Sequence, residues 1–288
     1  MNSEIIEKAN KLIKLESTVT QTFLDDVKLF KTSNFTKRGP LTYDFCLVIV
    51  LQGKKIGYLP NKTFIYDSKN YLVIPTTLPF ECETYASEEE PFTCILVNIN
   101  KTIMNDIITN ISNKEAQNCK EIKQAVFSDK VTKPIESVIL RLLQALQSKE
   151  ESKILGESLL KELFYRIATG QNAYFLHKMF LSSKNEAKIA KSLKTIHDNF
   201  NKHLDIPTLA KYEDMSVSSF HNHFKQITTY SPLQYIKKIR LNKAKDLIQK
   251  ENLQVNNTAY AVGYESISQF SRDFKSYYGY SPKEAKAL

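Results

Sequence analysis

The spacing of hydrophobic side chains divides the chain into a region of strands followed by a region of helices. Residues 4–16 alternate charged and apolar side chains at helical spacing and predict a short amphipathic helix. From about residue 27 to residue 99, short β-branched and aromatic runs are separated by clusters of turn-forming residues. Short strands at this even spacing are typical of an antiparallel barrel or sandwich, not of alternating β/α units. The predicted strands are 46–51, 54–59, 63–66, 71–74, 80–85 and 92–98.

After residue 100 the period of the apolar positions becomes helical. Residues 135–146 follow Pro134, a residue type favoured in the first turn of a helix, and are strongly amphipathic, as are residues 155–167. A polar break at 182–185 indicates a domain boundary. We therefore predict an α+β protein, with an antiparallel β-barrel and flanking helices in the first domain and an all-α second domain. The predicted domains are 1–183 and 186–288.

The second domain is predicted to contain two helix-turn-helix units joined by a long helix. In each unit a short helix and a turn precede a second helix, which begins at a capping serine, Ser216 in the first unit and Ser266 in the second. The joining helix is predicted from Pro232 to Lys250, 19 residues, and is therefore ~28 Å long at 1.5 Å per residue. The two units span about 206–228 and 255–278.

Part of this domain is a repeat. Residues 216–232 and 266–282 are identical at eight places when they are compared at a constant offset of 50 positions. At roughly 5–7 % chance identity per position, a window of this length gives about one match, so the repeat is real. The identical pairs are Ser216/Ser266, Ser218/Ser268, Phe220/Phe270, Phe224/Phe274, Lys225/Lys275, Tyr230/Tyr280, Ser231/Ser281 and Pro232/Pro282.

Each repeated helix has an apolar spine and an opposite polar face. The polar faces carry the residue types that read base edges in a major groove, where Asn and Gln pair with adenine, Arg with guanine and Ser with either. Each capping serine also leaves helix N-terminal amides pointing outward, where they can hold a phosphate. We therefore predict a double-stranded DNA interface made of Ser218, His221, Asn222, Lys225, Ser268, Gln269, Arg272 and Lys275.

The distribution of charge agrees with a polyanionic partner for the second domain. The net charge of the chain is +9, and residues 186–288 carry 16 Lys/Arg against 10 Asp/Glu, which is six of the nine excess charges. No stretch approaches the ~20 apolar residues that span a bilayer, and the N-terminus lacks the apolar core of a signal peptide. We therefore expect a cytoplasmic protein with no membrane partner.

The sequence gives no support to an enzyme, a metal site or a cofactor. Most catalytic barrels of this kind hold a metal through histidines, and no histidine precedes His177. His221 and His223 diverge on a helix, and no nucleophile elbow, phosphate loop or dinucleotide fingerprint is present. The cysteines show no CxxC pairing and are expected to be reduced, buried thiols. The alternative is that a thiol on a predicted strand is a redox or electrophile sensor; the candidates are Cys46, Cys82 and Cys94, and Cys119 is the fourth cysteine.

Two strings in the second domain, LAKYEDMSVSSFHNHFKQITTYSPLQYIKKIRLNKAKDLI and AVGYESISQFSRDFKSYYGYSP, resemble the C-terminal DNA-binding domain of the AraC/XylS family of bacterial transcription regulators. The resemblance covers 189–288 and implies seven helices. By position, it implies base contacts from Ser218, His221, Asn222, Ser268, Gln269 and Arg272. This chain departs from the family pattern at Asp214, where the first turn usually has glycine, and at Thr258, where an apolar residue usually packs. Aspartate tolerates a left-handed backbone, so the first turn is expected to survive with some strain.

The segments LVIVLQGKK and YDSKNYLVIPTTLPFECE resemble the N-terminal domain of one AraC subgroup over about residues 35–100. This resemblance implies a cupin-like β-barrel that senses an effector, followed by helices that dimerise. We expect a transcription regulator, more readily an activator, with double-stranded DNA and RNA polymerase as partners. A small-molecule effector or electrophile and a homodimer are further expectations. The alternatives are a ligand- or thiol-sensing switch that acts through a protein partner, and a DNA architectural protein without sequence specificity.

Overall fold

The computed structural model describes residues 2–60, 62–74, 76–111, 126–173, 176–177, 180 and 184–286. The chain divides into two compact units. The N-terminal unit comprises residues 1–38, 43–77 and 82–183, and the C-terminal unit comprises residues 39–42, 78–81 and 184–288. Within the described residues, no helix is both long and apolar enough to cross a membrane.

The strands of the first region form two antiparallel sheets. Six strands have the order β1-β2-β9-β4-β7-β10, and four have the order β3-β8-β5-β6. The strands are β1 Val19–Gln21, β2 Val27–Thr32, β3 Thr36–Tyr43, β4 Cys46–Gln52, β5 Lys54–Leu59, β6 Lys62–Asp67, β7 Asn70–Ile74, β8 Leu78–Tyr85, β9 Phe92–Asn98 and β10 Phe127–Lys130.

The helices described between residues 3 and 168 bury one face of the six-stranded sheet. Leu47 and Ile49 of the central strand β4 belong to a core cluster that also contains side chains of each of these helices. Leu51 belongs to the same cluster, and since strand residues alternate between faces, Cys46, Val48 and Val50 of β4 face the opposite side. The helices are α1 Ser3–Leu12, α2 Lys101–Asn110, α3 Lys133–Ala145 and α4 Lys149–Ala168.

The turn between β4 and β5 requires a glycine. Gly53 has φ +73°, a left-handed conformation that costs a side-chain-bearing residue free energy. A Cβ atom added at Gly53 would lie 2.9 Å from the Cα of Phe92, which is a backbone atom of the neighbouring strand and cannot move aside. Gly53 therefore marks a tight connection between the two strands.

From residue 184 onward the C-terminal unit is helical, with Phe220 and Phe224 fully buried in the first part of this region and Phe270 and Phe274 fully buried in the second. The predicted α+β fold class, antiparallel sheets with helices followed by a helical domain, is thus confirmed. The helices are α5 Lys184–Asp198, α6 Ile206–Tyr212, α7 Val217–Thr228, α8 Pro232–Gln249, α9 Val255–Ala261 and α10 Ile267–Tyr278, and a 3₁₀ turn follows at Glu284–Lys286.

Candidate nucleic-acid interface

The first helix-turn-helix is closed by a left-handed residue after α6. The amide of Met215 donates to the carbonyl of Ala210 (3.0 Å), and the amide of Asp214 donates to the carbonyl of Lys211 (3.0 Å). Asp214 has φ +49°, which is the left-handed backbone that the sequence required of it. The side chain of Asp214 is exposed, so nothing crowds it in this conformation.

The second helix-turn-helix repeats this turn after α9. The amide of Tyr264 donates to the carbonyl of Ala259 (2.9 Å), and the left-handed residue is Gly263, with φ +84°. A Cβ at Gly263 would lie 2.6 Å from the carbonyl oxygen of Asn201, so glycine is needed here for space as well as for φ. The second unit has one additional residue, Glu265, between the turn and the cap, which comparison at a constant offset did not detect.

Thr258, the other departure from the family pattern, is accommodated inside α9. Its side chain is fully buried, and its hydroxyl donates to the carbonyl of Gln254 one turn earlier (2.9 Å). The polar atom is therefore satisfied within the helix, and the methyl group of Thr258 is left to fill the apolar position.

The second helix of each unit starts at the serine read from the sequence. The hydroxyl of Ser216 accepts a hydrogen bond from the amide of Ser219 (3.2 Å), and that of Ser266 accepts one from the amide of Gln269 (3.3 Å). One first-turn amide in each helix is satisfied in this way, while the serine itself remains exposed. The remaining first-turn amides leave α7 and α10 with N-termini suited to an anion such as a phosphate.

The predicted interface residues all lie on α7 and α10, four on each helix. The apolar spines are buried: Phe220 and Phe224 contact each other (ring centroids 5.5 Å apart), as do Phe270 and Phe274 (5.6 Å). His221 is only half-exposed. The other predicted residues are exposed on the side away from the spines: Ser218, Asn222, Lys225, Ser268, Gln269, Arg272 and Lys275.

Sequence reasoning missed the residues that fix each of these helices to its neighbours. His223 of α7 contacts the carbonyl of Ser219 through Nδ1 (2.9 Å) and the side-chain amide of Asn185 in α5 through Nε2 (3.1 Å). The equivalent residue of α10, 50 positions later, is Asp273. Because these positions lie at the edge of the polar face, composition alone assigns them to the solvent-exposed surface.

Asp273 uses both carboxylate oxygens. Lys237 of α8 donates to Oδ1 (2.6 Å) and the hydroxyl of Tyr264 donates to Oδ2 (3.3 Å). The Asp273 side chain is 16 % exposed and that of Lys237 is 47 % exposed, so the pair is only partly screened by water. Burial, followed by the Asp273 carboxylate, raises the pKa of Tyr264 above its ordinary value.

The joining helix α8 contacts both helix-turn-helix units. The ammonium of Lys238 lies over the ring of Tyr230, which follows α7 (4.9 Å), and over the ring of Tyr277 in α10 (4.3 Å). Burial lowers the pKa of Lys238. With 18 residues, α8 is ~27 Å long at 1.5 Å per residue, which is close to the predicted length.

Two further contacts hold α8 against the segment around the end of α5. The hydroxyl of Tyr235 lies 2.8 Å from Nε2 of His197. The guanidinium of Arg240 donates to the carbonyls of Phe200 (2.8 Å) and Lys202 (2.9 Å). These bonds use the fixed fork of the guanidinium to satisfy carbonyls after the end of α5.

The three candidate sensor thiols are all buried, and none of them forms a disulfide bond among the described residues. Burial raises the pKa of Cys94 to about 12 and raises that of Cys46 still further. Since the thiolate is the reactive form, these surroundings disfavour reaction with electrophiles. The hydroxyl of Tyr66 lies 3.4 Å from the sulfur of Cys82. Cys119 lies outside the described residues, among which no three His, Cys, Asp or Glu side chains are arranged to hold a metal.

Comparison with known proteins connects this geometry to a family. Residues 24–174 match the family described as AraC-type transcriptional regulator N-terminus, and residues 209–287 match a helix-turn-helix domain family. The HTH-type transcriptional activator RhaS of Enterobacter sp. (strain 638) is 28 % identical over 102 residues, 35 % of this chain and 37 % of RhaS. RhaS of Mannheimia succiniciproducens is 25 % identical over 156 residues, 54 % of this chain and 57 % of the relative. The matches thus span less than two thirds of either relative.

The fold itself is shared with a solved structure. Unsaturated fatty acid-bound ToxT from Vibrio cholerae strain SCE256 superposes with a TM-score of 0.62 at 13 % identity, covering 94 % of this chain and 96 % of ToxT. At this identity the likeness concerns the fold alone. It extends over both the sheets and the helical region.

Proposed function

The chain belongs to the AraC family of transcriptional regulators, and from this premise we propose that its two helix-turn-helix units enter successive major grooves on one side of a DNA duplex. The family is one of DNA-binding regulators, not of enzymes. The observation that carries the proposal is the duplication: α7 and α10 have equivalent serine caps, left-handed turns and buried spines. The length of the joining helix α8 is comparable to one DNA turn, ~34 Å, which is the separation that two such helices need.

We assign base readout to the side chains with directional hydrogen-bonding groups. In α10 these are Gln269 and Arg272, both exposed, with Ser268 beside them. In α7 they are Asn222 and the half-exposed His221, together with Ser218 at the helix start. Arginine reads guanine through two hydrogen bonds, whereas asparagine and glutamine read adenine. Because Ser218 is short, the first helix is expected to read fewer bases than the second.

We assign phosphate contacts to Lys225 and Lys275, which are equivalent in the repeat and exposed. A lysine is a point charge without the planar fork of arginine, so it positions the protein on the backbone without reading sequence. The helix N-termini at Ser216 and Ser266 would hold further phosphates.

Arg272→Ala and Lys275→Ala test this division on a DNA fragment selected by the wild-type chain. We expect Arg272→Ala to weaken binding by about 1–3 kcal/mol and to relax the preference at one base position. Lys275→Ala is expected to weaken binding to all sequences alike and to reduce the salt slope by about one. Lys250→Ala, which removes an exposed lysine at the end of α8, is the matched control and is expected to leave the base preference unchanged.

If Arg272→Ala lost the same binding free energy on the selected fragment as on random DNA, base readout by α10 would be overturned. A base preference that changes in Lys275→Ala would overturn the phosphate assignment. Electrophoretic mobility shifts at two or more salt concentrations against both kinds of competitor give these outcomes directly.

We further propose that residues 1–183 form a sensor and dimerisation domain and residues 186–288 the DNA-binding domain of an activator that contacts RNA polymerase. The activator role rests on the RhaS relatives, which are named as activators. Dimerisation is supported by apolar side chains left exposed on α4, namely Ile154 (75 % exposed), Leu155 (46 %) and Tyr165 (46 %). Transcription from a selected promoter with and without the chain tests the first point, and sedimentation of the wild type against Ile154→Glu tests the second.

The alternative is a thiol-sensing switch that acts on a protein partner. It requires a reactive thiol, and the burial and raised pKa of Cys46 and Cys94 argue against one. Replacement of Cys46, Cys82 and Cys94 by serine, one at a time, decides it. A changed reporter response to oxidants in any of these variants would favour the thiol switch, and an unchanged response would remove it.

A further inference from the structure

Besides the joining helix α8, a second segment connects the two helix-turn-helix units. It consists of α5, Lys184–Asp198, and of residues 199–202, which follow α5 and precede α6. We call α5 together with residues 199–202 the brace. By its position in the chain the brace belongs to the first unit, but its last residues also contact the second unit, so it bridges the two.

The beginning of the brace is bound to the first unit. The side-chain amide of Asn185 lies 3.1 Å from Nε2 of His223, which is on α7. The ammonium group of Lys188 donates to the carbonyl of Asp214 (3.1 Å), which is the left-handed residue of the first turn. Both contacts come from the N-terminal part of α5, so the brace is fixed at this end to the first turn and to α7.

The end of the brace packs against the second unit. The side chain of Phe200 packs against the apolar core that contains Phe270 and Phe274 of α10. A Cβ atom added at Gly263, in the second turn, would lie 2.6 Å from the carbonyl oxygen and 3.0 Å from the Cα of Asn201. Two backbones approach this closely only where one of them has no side chain. The second turn therefore contacts the brace backbone to backbone.

Arg240 of α8 holds the end of the brace. Its guanidinium donates from Nε to the carbonyl of Phe200 (2.8 Å) and from Nη2 to the carbonyl of Lys202 (2.9 Å). The same guanidinium lies 6.0 Å from the ring centre of Tyr264, whose hydroxyl donates to Asp273 of α10. Because the fork of a guanidinium is planar and rigid, the two bonds fix both the position and the direction of the segment. Arg240 thus joins the brace, α8 and the second turn at one point.

A second connection changes how the two units can move. Units that are joined by one helix can bend or twist at its two ends, because a few backbone torsions absorb such a motion. When a second segment is bound to both units, the same motion must also break the contacts of that segment. The brace therefore resists any change in the separation or the relative rotation of α7 and α10.

We infer that the brace holds α7 and α10 at a fixed separation and rotation, and that the chain accepts two DNA boxes at one spacing only. Arg240 is the positioning residue in this arrangement, since it acts on DNA recognition through the brace and not through contact with a base. The inference rests on the proposed DNA binding and adds to it a specificity for the spacing of the boxes.

A single base pair is enough to test the specificity for spacing. An added base pair moves the second box by ~3.4 Å along the duplex and rotates it by about 35° around the axis. Two helices that are held rigidly cannot follow both changes, so one of them loses its base contacts. We expect the wild type to bind a selected fragment at least about tenfold more weakly after one base pair is added or removed between its boxes.

Arg240→Met keeps an unbranched apolar side chain and removes both bonds to the brace. The second unit can then adjust to a shifted box, so the spacing preference should shrink to about threefold or less. Arg240→Lys keeps the charge but has a single point donor, and it should show an intermediate preference. The preference is a ratio of two affinities measured on one preparation, so it does not depend on the fraction of folded protein.

The matched control is Lys245→Met. The ammonium group of Lys245 in α8 lies over the ring of Tyr278 in α10, 5.1 Å from the ring centre. The substitution therefore removes a cation from α8 and a contact between α8 and α10, while it leaves the bonds of Arg240 to the brace in place. Lys245→Met should keep the spacing preference of the wild type.

A second measurement needs no DNA. Spin labels at Ser218→Cys and Ser268→Cys, which are exposed and equivalent positions of α7 and α10, report the distance between the two helices by pulsed electron resonance. Cys119 is replaced by serine in every variant, and the other native thiols are buried, namely Cys46, Cys82 and Cys94. We expect a narrow distance distribution in the wild type and in Lys245→Met, and a broader one in Arg240→Met.

Three outcomes in DNA binding overturn the inference. They are equal binding of all three spacings by the wild type, a spacing preference in Arg240→Met equal to that of the wild type, and a preference lost in Lys245→Met as much as in Arg240→Met. A distance distribution of equal width in Arg240→Met and the wild type overturns it independently. A chain that selects no DNA, but whose distance distribution broadens in Arg240→Met, overturns the proposed function and leaves the brace.

Discussion

The ion pair between Asp273 and Lys237 should set how firmly α10 is held against α8. Its atoms are 2.6 Å apart, and the side chains are 16 % and 47 % exposed. Exposed pairs contribute about 0.2–1 kcal/mol, and this pair belongs at the upper end because Asp273 is largely buried. The Tyr264 hydroxyl bond to Asp273 is longer, at 3.3 Å, and should contribute about 0.5–1 kcal/mol. Asp273→Asn keeps an acceptor for Tyr264 and so isolates the ion pair.

A double-mutant cycle measures this coupling. Asp273→Asn, Lys237→Met and the double variant are compared by amide hydrogen exchange over 267–278, which reports local opening of α10 even if the two compact units unfold separately. We expect a coupling of about 1 kcal/mol. The control is the Lys250–Asp246 pair, which has a similar separation of 2.7 Å but is 75 % and 51 % exposed within one helix. Its coupling should be at most about 0.5 kcal/mol.

The cycle also has a readout in DNA binding. Loosening α10 should lower the affinity for the part of the site that α10 reads, so Asp273→Asn should resemble a weak form of Arg272→Ala. A coupling below about 0.3 kcal/mol, or one no larger than that of the control pair, would refute the reasoning that Asp273 positions α10.

Three further predictions concern the repeat and its turns. Thr229 and Gly279 are equivalent left-handed residues at the ends of α7 and α10, with φ +67° and +84°, so Thr229→Gly should stabilise the C-terminal unit by about 1 kcal/mol. Gly279→Thr should destabilise the C-terminal unit by about 1–2 kcal/mol through backbone strain alone, because nothing lies within 4 Å of an added Cβ. Equal Tm values for Thr229→Gly and Gly279→Thr would contradict this explanation. Gly263→Ala should cost more than Gly279→Ala in chemical denaturation, because its Cβ also meets the backbone of Asn201. Burial raises the pKa of the Glu213 carboxyl above its ordinary value, so the folded chain binds a proton more tightly at this group than the unfolded chain does. The free energy of unfolding should therefore fall as the pH rises from the ordinary pKa of a glutamate through the raised one. This pH dependence should vanish in Glu213→Gln.

Much of the fold was predictable because its signals are local. The apolar runs of β4 and β9 and the turn clusters between strands placed six strands to within two residues of their observed ends. The sequence reading missed four strands: β1 and β2, then β3, which contains a Gly-Pro pair and two charges, and β10, a short polar strand paired with β7. The positions of β3 and β10 depend on partners distant in sequence, and no local pattern encodes that pairing.

The buried and exposed faces of α7 and α10 were predictable for a different reason. A duplicated helix reveals its own buried and exposed faces, because the positions that repeat as Phe must share a core. The anchors His223 and Asp273 could not be found in this way, since they differ in type and bond to different helices.

Selection of bound sequences from a random DNA pool tests the central claim most directly. The account predicts an enriched site with two boxes whose centres lie about one helical turn, 10–10.5 base pairs, apart. Arg272→Ala should relax one box and leave the other intact. Enrichment of a single box, two boxes on opposite sides of the duplex, or no enrichment over the starting pool would contradict it.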